Sequence, residues 1–356
     1  MKKNQLLINF FTGCSFIVSV FLYSSCGIQF KPNQLFTLPE DKKAEVQTEE
    51  KGKVISLACW NAQTFFDAVT DGCEYSDFKN SSKWTTEKYK KRLERLCEVM
   101  SLLNADIIVL EEIESDAVVH DISNRLADGA WSKKKGWQYA CFAKETGSAI
   151  GCVVFSRYEL KNLSVHSLDV RVHKTSQPSS RPLMQLTVCA GEKEFELIVN
   201  HWKSKSGGEE ETEIWRDWQE AAAAELVRQM IANERSVVLC GDFNRSAEDF
   251  IPIEDDFSIH NKGNLLLRGV YGEAVEIFSP WFNEEGKFST EIGSYYYDEH
   301  WERIDNFFFA GKIEVNQFQP VAEPPVADEK SIPQGYKVYT DYGCSDHLPL
   351  KCIITI

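Results

Sequence analysis

Short apolar runs rich in β-branched residues recur along the chain, and polar segments separate them. Most runs are nearly continuous rather than alternating, which is typical of strands buried between two layers. The predicted strands are Val54–Trp60, Asp106–Leu110, Ala149–Phe155, Met184–Cys189, Phe195–Val199, Val237–Cys240, Ile304–Phe309 and Leu348–Ile356. The pattern therefore predicts a body dominated by buried β-structure.

Two segments instead carry apolar residues three and four positions apart, which is the spacing of an amphipathic helix. The first is Thr86–Leu103, where Thr85 or Thr86 can cap the start. The second is Thr212–Asn233, with two tryptophans and a run of four alanines. We find no repeat at a fixed spacing. The folded body is therefore expected to be one domain over about residues 54–356.

The first 25 residues have the pattern of an export signal. A basic start, Met1–Lys3, precedes an apolar run from Leu6 to Tyr23, and then Ser24 and Ser25 lead to Cys26. This ending is similar to the lipidation site of bacterial lipoproteins, with Cys26 as the lipid-bearing residue. A secreted protein and an uncleaved membrane anchor are the alternatives. Each of them predicts export, either as a lipoprotein at the periplasmic or cell surface or as a secreted protein.

Residues 26–53 are predicted to be a polar tether between this signal and the body. The stretch 31–53 is charged and low in large apolar groups, so it cannot bury enough surface to fold alone. The whole chain carries a net charge of −15, which argues against a protein that binds polyanions mainly through bulk positive charge. The cysteines and histidines do not have spacings that suit zinc.

Polar residues cluster where the predicted strands end. The segments are WNAQ at 60–63, LEE at 110–112, NHWKSKSGG at 200–208, GDFN at 241–244, RID at 303–305 and SDHLP at 345–349. A site assembled from them would combine carboxylates, two histidines and amides. Hard oxygen ligands of this kind suit Mg²⁺, or Mn²⁺, rather than Zn²⁺.

These six motifs, in this order, resemble the endonuclease/exonuclease/phosphatase superfamily, and most closely its deoxyribonuclease-like secreted bacterial branch. The resemblance covers residues 54–356. It implies an α/β fold, a four-layer sandwich in which helices flank two central, mostly antiparallel sheets, with the site on one rim. It also implies metal-dependent hydrolysis of phosphate esters.

The resemblance assigns a role to each motif. Asn61, Glu112 and Asp346 correspond to the metal site. The catalytic set corresponds to His201, Asp242, Asn244, Asp305 and His347. In this set Asp242 and Asn244 orient the nucleophile or phosphate, and Asp305 orients His347. His201 falls where the deoxyribonuclease branch has a histidine that assists the leaving group.

Four basic residues near the motifs are predicted to bind substrate. Lys203 and Lys205 follow His201 in a glycine-containing loop, and Arg181 precedes a strand. Arg303 has period-2 spacing to Asp305, so it either faces the site or forms a salt bridge. The tyrosine run at 295–297 either stacks on bases or sugars or packs into a sheet.

The predicted function is a Mg²⁺-dependent phosphodiester hydrolase, an exported or surface-anchored nuclease that cuts DNA or RNA by in-line attack of water. Nucleic acid is its expected substrate, a membrane its expected contact through the lipid, and the sequence indicates no obligate protein partner. The alternatives are a phospholipid phosphodiesterase of the sphingomyelinase kind and a phosphomonoesterase. A further alternative is a metal-free binding protein on the same fold.

Overall fold

Two seven-stranded sheets form the centre of the molecule, which we describe from a computed structural model covering residues 34–37, 52–79, 83–127, 136–167, 181–252, 263–270 and 273–356. The strands are β1 (Gln34–Thr37), β2 (Val54–Phe65), β3 (Ile107–Ile113), β4 (Tyr139–Ala143), β5 (Gly151–Ser156), β6 (Glu159–His166), β7 (Leu183–Ala190), β8 (Lys193–His201), β9 (Val237–Asp242), β10 (Asn264–Arg268), β11 (Ala274–Phe278), β12 (Tyr295–Tyr297), β13 (His300–Glu302), β14 (Asp305–Ala310), β15 (Glu314–Pro320) and β16 (Leu350–Thr355).

The first sheet has the order β1-β4-β5-β3-β2-β16-β15, and the second has the order β10-β11-β14-β9-β8-β7-β6. Strands β2 and β3 pair in parallel in the first sheet, as do β8 and β9 in the second. The other pairs in both sheets are antiparallel. The predicted mostly antiparallel pair of sheets is therefore confirmed.

Alternate side chains of β2 separate two hydrophobic cores. Leu57 and Cys59 belong to the core between the sheets, whereas Ala58 and Trp60 belong to a second core on the outer face of the first sheet. The helices α1 (Thr86–Leu103) and α2 (Asp116–Ala127) fill that second core. Helix α3 (Glu209–Ala232) packs on the second sheet. The layers thus run helix, sheet, sheet, helix, as predicted.

The predicted helices are both present. Helix α1 has the expected bounds, and the Thr85 side chain caps it by accepting a bond from the Lys88 backbone N–H at 3.3 Å. Helix α3 begins earlier than the predicted Thr212, because the loop ends at Gly208 with a φ of 109° and three glutamates occupy the first turn. Acidic side chains in a first turn are favoured by the helix dipole.

The predicted export signal and lipidation at Cys26 lie outside the described residues. Within the predicted tether, Gln34–Thr37 forms β1, which pairs antiparallel with β4. That short segment is therefore part of the first sheet rather than of a free linker. Among the residues that the structure describes, no helix is both long and apolar enough to span a bilayer.

Candidate active site

The predicted catalytic residues converge because of the sheet topology. The parallel pairs place Asn61 and Glu112 at one rim of the first sheet, and His201 and Asp242 at the same rim of the second. Strand β14 runs antiparallel to β9 and starts at this rim, so that Asp305 lies directly opposite Asp242. Strand β16 also starts at this rim, next to β2, and His347 lies three residues before its first residue.

His347 and Asp305 form a buried hydrogen-bonded pair. The Nδ1 atom of His347 lies 2.8 Å from Oδ2 of Asp305, which fixes the ring tautomer. Burial by itself would lower the pKa of His347. The charge of Asp305 and its hydrogen bond outweigh burial, with Asp242 and Asp346 adding to them, so the pKa is raised well above 6.5. The pair therefore presents a protonated imidazole.

Asp242 accepts hydrogen bonds from Asn61 of the WNAQ motif and from Asn244 of its own GDFN motif. Its Oδ2 accepts from the Asn61 amide at 3.1 Å, and its Oδ1 accepts from the Asn244 backbone N–H at 2.8 Å. Burial, and then repulsion from Asp305, raises the pKa of Asp242 to about 7. A carboxylate with such a pKa can take up a proton near neutral pH. The Asn244 side chain donates to the Trp202 carbonyl at 3.2 Å.

Glu112 occupies the other side of the pocket and is held by two donors. Its Oε2 accepts from the Thr64 backbone N–H at 2.5 Å, and its Oε1 accepts from the Asn61 amide at 3.3 Å. The residues around it share an uncommon backbone conformation. Gln63, Thr64, Glu112 and Asn244 all have φ between 48° and 61°. Such φ values in non-glycine residues store strain and are characteristic of functional sites.

His201 is 2% exposed and faces both carboxylates. Its Nε2 lies 3.6 Å from Glu112 Oε1 and 3.7 Å from Asp242 Oδ2. Burial, and then the positive charges of Arg181 and His347, lowers the pKa of His201 well below 6.5. His201 is therefore neutral. Its Nδ1 is buried without a hydrogen-bond partner, so the proton belongs on Nε2, facing the pocket.

The donor set of this pocket fits a divalent cation. Ligand atoms of Asp242, Asp305 and His347 lie within 4.8 Å of one another, but a protonated His347 has no lone pair for a cation, so the carboxylates are the ligands that this pocket offers. The Asn61 amide links Asp242 to Glu112, and the Oδ1 atom of Asp305 is buried without a partner. Several buried carboxylates facing one another repel, and a bound cation would relieve that repulsion. Hard oxygen donors favour Mg²⁺ or Mn²⁺.

The predicted metal-site residue Asp346 lies beside this pocket. Its side chain is half-buried. Burial is the main reason that the pKa of Tyr295 is raised, and Asp305 the main reason for His347, and the charge of Asp346 adds to both shifts. Asp346 therefore adds negative charge at the pocket without contributing to the compact group formed by Asp242, Asp305 and His347.

One of the four predicted substrate-binding residues, Arg181, brings positive charge to the pocket, whereas Lys203 is engaged in its own loop. Arg181 hydrogen-bonds to the hydroxyl of Tyr75, and its charge acts on His201. The side chain of Lys203 bonds to its own loop. Its Nζ donates to the carbonyls of Ser204 at 2.9 Å and Ser206 at 3.1 Å. Burial, followed by the charge of Arg181, lowers the pKa of Lys203.

The other two predicted substrate-binding residues are engaged within the protein. Lys205 forms 3.0 Å salt bridges with Glu209 and Glu302. Arg303 is buried, with its guanidinium 3.4 Å from the ring centre of Phe288 and 3.1 Å from the Thr290 carbonyl. Arg303 also forms the salt bridge that was the alternative to facing the site, with Nη1 3.9 Å from Oε1 of Glu248.

Glu111 ties the two sheets together beneath the pocket, which its motif did not reveal. It is fully buried in the first sheet, and its Oε2 accepts from the backbone N–H of Asp242 in the second sheet at 3.0 Å. Its Oε1 accepts from the Cys59 thiol at 3.2 Å. Gly241 allows this approach, since a Cβ there would lie 1.9 Å from the Asn200 carbonyl oxygen and 3.0 Å from Glu111.

Arg92 supports the strained segment from the outer side of the first sheet. It is fully buried, and its guanidinium donates to the carbonyls of Thr64 at 3.0 Å and Ala62 at 3.1 Å, and to that of Gln63. The ring of Tyr336 stacks on the guanidinium at 3.8 Å. Because Asn61 begins this segment and Thr64 bonds Glu112, Arg92 positions the rim of the pocket from behind.

Replacing Arg92 with methionine is expected to lower the free energy of unfolding by ~2–5 kcal/mol, because it leaves three buried carbonyls without their donor. Urea unfolding followed by tryptophan fluorescence measures this loss. The matched control is Lys91→Met on the same helix, which breaks an exposed salt bridge with Glu87 and should cost under ~1 kcal/mol. Equal losses in the two variants would show that the carbonyl contacts of Arg92 are dispensable.

Comparisons with known proteins agree with this architecture. The Endonuclease/Exonuclease/phosphatase family model matches residues 56–319. No match was found among curated proteins. TDP2 from C. elegans has a TM-score of 0.53 and 16% identity, covering 85% of this chain and 75% of that one. Truncated Caenorhabditis elegans TDP2 has the same score and identity, covering 85% and 98%.

At this identity the likeness to the solved structures shows the fold. The family match spans most of the folded body, including five of the six motifs that resemble the family. Members of the family hydrolyse phosphate esters, and its nucleases generally use divalent metal ions. This chain belongs to the endonuclease/exonuclease/phosphatase family.

Proposed function

We propose that the protein is an exported, Mg²⁺-dependent nuclease that hydrolyses phosphodiester bonds of DNA or RNA by in-line attack of water. The observation that carries the proposal is the Asp305–His347 pair beside Asp242, Glu112 and His201 in one buried pocket. This arrangement provides a proton acceptor, proton donors and a set of oxygen ligands around one position.

Glu112 and Asn61, with Asp346 nearby, are the residues that would hold the cation. When bound, Mg²⁺ neutralises the phosphate and stabilises the charge that develops during hydrolysis. Mn²⁺ has similar ligand preferences and is expected to substitute for it. The Asn61 amide connects this part of the pocket to Asp242, so the metal ligands and the catalytic residues share one hydrogen-bond network.

Asp242, His347 and His201 each have a proposed role in moving or donating a proton. Asp242, whose pKa is raised to about 7, is placed to orient water and take its proton. His347 has its Nδ1 on Asp305, so its Nε2 is available to donate to a phosphate oxygen. The neutral His201 presents Nε2–H to the pocket and is proposed to assist the leaving oxygen. Arg181 supplies a positive charge for the incoming phosphate.

The activity is tested with the purified protein on supercoiled plasmid and single-stranded RNA. Cleavage is expected with Mg²⁺ or Mn²⁺ and should be lost when EDTA removes the metal. His347→Ala, purified in the same way, controls for contaminating nuclease. If both nucleic acids stay intact while labelled sphingomyelin releases phosphocholine, the protein is instead a phospholipid phosphodiesterase. Release of phosphate from a monoester alone would identify a phosphatase.

Export and lipidation are part of the proposal, supported by the basic start, the apolar run and Cys26. Cells fed a labelled fatty acid are expected to incorporate the label into the wild-type protein and not into Cys26→Ser. If Cys26→Ser is recovered unlabelled in the medium, the signal is functional and Cys26 is the anchor. If the wild-type protein carries no label, the proposal that it is a lipoprotein is wrong.

A further inference from the structure

We propose that Tyr295 and Tyr297 form a stacking platform for an unpaired nucleobase next to the scissile phosphate. This inference rests on the proposed nuclease function and specifies its substrate as single-stranded nucleic acid. It concerns the small hairpin of β12 and β13, which precedes Asp305 in the chain.

The hairpin places two tyrosines on one face. Strand β12 pairs antiparallel with β13, and side chains alternate along it, so Tyr295 and Tyr297 point to the same side. Their rings are nearly parallel, with an interplanar angle of 13° and centroids 6.4 Å apart. The intervening Tyr296 packs edge-on against Trp301 at 4.9 Å. The structure thus separates one packing tyrosine from two that form a continuous aromatic surface.

This surface begins at the catalytic histidine. The ring of Tyr295 lies 4.9 Å from that of His347, and the backbones of the two residues form a β-bridge. Ser294 links the hairpin to the chain beside His347 and to Asp305. Its carbonyl accepts from the Leu348 N–H at 2.7 Å, and its Oγ accepts from the Asp305 N–H at 3.1 Å. The platform is therefore held in register with the Asp305–His347 pair.

The outer ring is open to a ligand. Tyr297 is 64% exposed, whereas Tyr295 is half-buried between it and His347. Stacking of a base on an exposed aromatic ring is worth ~1–3 kcal/mol and is tolerant of sequence. A nucleotide whose phosphate lies at His347 can therefore place its base, or that of the next nucleotide, on this surface.

The tip of the hairpin favours a base over a lipid. Asp298 and Glu299 form the two-residue turn beyond Tyr297, with φ of 46° and 63°. Insertion of this tip into a bilayer would carry two carboxylates into an apolar environment, which is costly. The same carboxylates repel phosphates. The face of an uncharged base is the part of a nucleic acid that suits the hairpin.

Stacking on this platform also favours single strands over duplexes. In a duplex both faces of each base are covered by neighbouring bases, and removing one from the stack costs a few kcal/mol. An unpaired base offers its face without that cost. The platform thus predicts faster cleavage of single-stranded than of double-stranded nucleic acid of the same sequence.

The test compares Tyr297→Ala with Tyr297→Phe and with Tyr339→Ala. Tyr339 is 63% exposed, like Tyr297, but lies in the loop before the SDHLP motif. The substrates are a labelled single-stranded oligonucleotide, its duplex and bis(p-nitrophenyl) phosphate, a small diester that has no base. Binding of the oligonucleotide is measured separately by fluorescence anisotropy in EDTA, where cleavage stops and the contact between Tyr295 and His347 is kept.

Tyr297→Ala is expected to raise KM and Kd for the single strand about tenfold, with little change on bis(p-nitrophenyl) phosphate. Tyr297→Phe keeps the ring and should behave as wild type, as should Tyr339→Ala. An equal loss on the small diester would overturn the platform and assign Tyr297 to positioning His347. Unchanged values for the single strand would also overturn it while leaving the nuclease intact.

Two further outcomes separate the inference from the function on which it rests. If the wild type cuts no nucleic acid but hydrolyses the small diester, both proposals are wrong. If Tyr297→Ala instead loses hydrolysis of sphingomyelin vesicles, the hairpin contacts lipid and the base platform is wrong.

Discussion

Replacing His347 with alanine is expected to lower turnover by ~10²–10⁴-fold, the usual contribution of a positioned acid or base. The imidazole is held at 2.8 Å from Asp305 and carries its charge beside Asp242, where the phosphate is proposed to bind. Metal-dependent plasmid cleavage measures the loss. Metal binding, followed by calorimetry, should remain because the proposed metal ligands are untouched.

A second substitution separates chemistry from packing. His347→Asn retains a donor for Asp305 but removes Nε2, so it should fold like wild type and remain as inactive as His347→Ala. If His347→Asn restores activity, the histidine is only a structural partner of Asp305 and the catalytic assignment is wrong.

The Asp305–His347 pair also predicts a direction of pH dependence. Because the folded pKa of His347 is raised, the pair stabilises the fold fully below pH 6.5 and loses this contribution as pH rises through the raised pKa. In Asp305→Asn the raising charge is absent and burial dominates, so the pKa of His347 should fall. NMR titration of the ring measures the shift, and an unchanged pKa would contradict the role of Asp305.

Glu112→Gln is expected to weaken Mg²⁺ binding by more than the ~10–100-fold typical of residues that only support a ligand. The amide keeps the shape and can still accept from the Thr64 N–H, but it removes the negative charge that faces the pocket. Activity measured against Mg²⁺ concentration should shift to higher metal and fall at every concentration.

The matched control for Glu112→Gln is Glu94→Gln, the same chemical change on the exposed side of α1, where Glu94 pairs with Arg125 at 3.5 Å. It should leave the metal titration unchanged. Circular dichroism should show both variants folded. A folded Glu112→Gln enzyme with the wild-type metal titration would place the cation elsewhere in the pocket.

Much of the fold followed from hydrophobic pattern, and the omissions are short elements or elements with mixed polarity. The predicted strands and both predicted helices are present. Continuous apolar runs are typical of buried strands, and apolar residues three and four positions apart are typical of amphipathic helices. Eight strands of the described residues were not predicted: β1, β6, β10 and β15 lie at sheet edges, β4 and β11 lie next to an edge strand, and β12 and β13 form the small hairpin. Edge strands carry polar residues that limit association, so their periodicity is weak. Helix α2 was also missed, although Val118, Val119 and Ile122 have helical spacing.

In the site, motif resemblance identified the catalytic residues but not the residues that support them. Motif resemblance selected residues that the fold then brought together, such as Asp242 and His347. Resemblance could not identify Arg92, because a charged residue on an amphipathic helix is usually solvated. Its burial depends on the carbonyls of residues 62–64, which are distant in sequence. Arg303 shows a second limit of sequence analysis. Period-2 spacing predicts which face of a strand a residue lies on, but not which group its side chain contacts.

The cross-sheet bond from Glu111 to the Asp242 backbone has a consequence for mutations far from the pocket. Neither sheet alone carries a complete catalytic set, so the distance between Asn61 and Asp242 depends on how closely two layers pack. A misplacement of about 1 Å in a catalytic group can cost ~10²-fold in rate. Enlarging or trimming core residues between the sheets should therefore impair turnover well before it unfolds the protein. Activity thus measures the spacing of the layers more sensitively than any spectroscopic signal of folding.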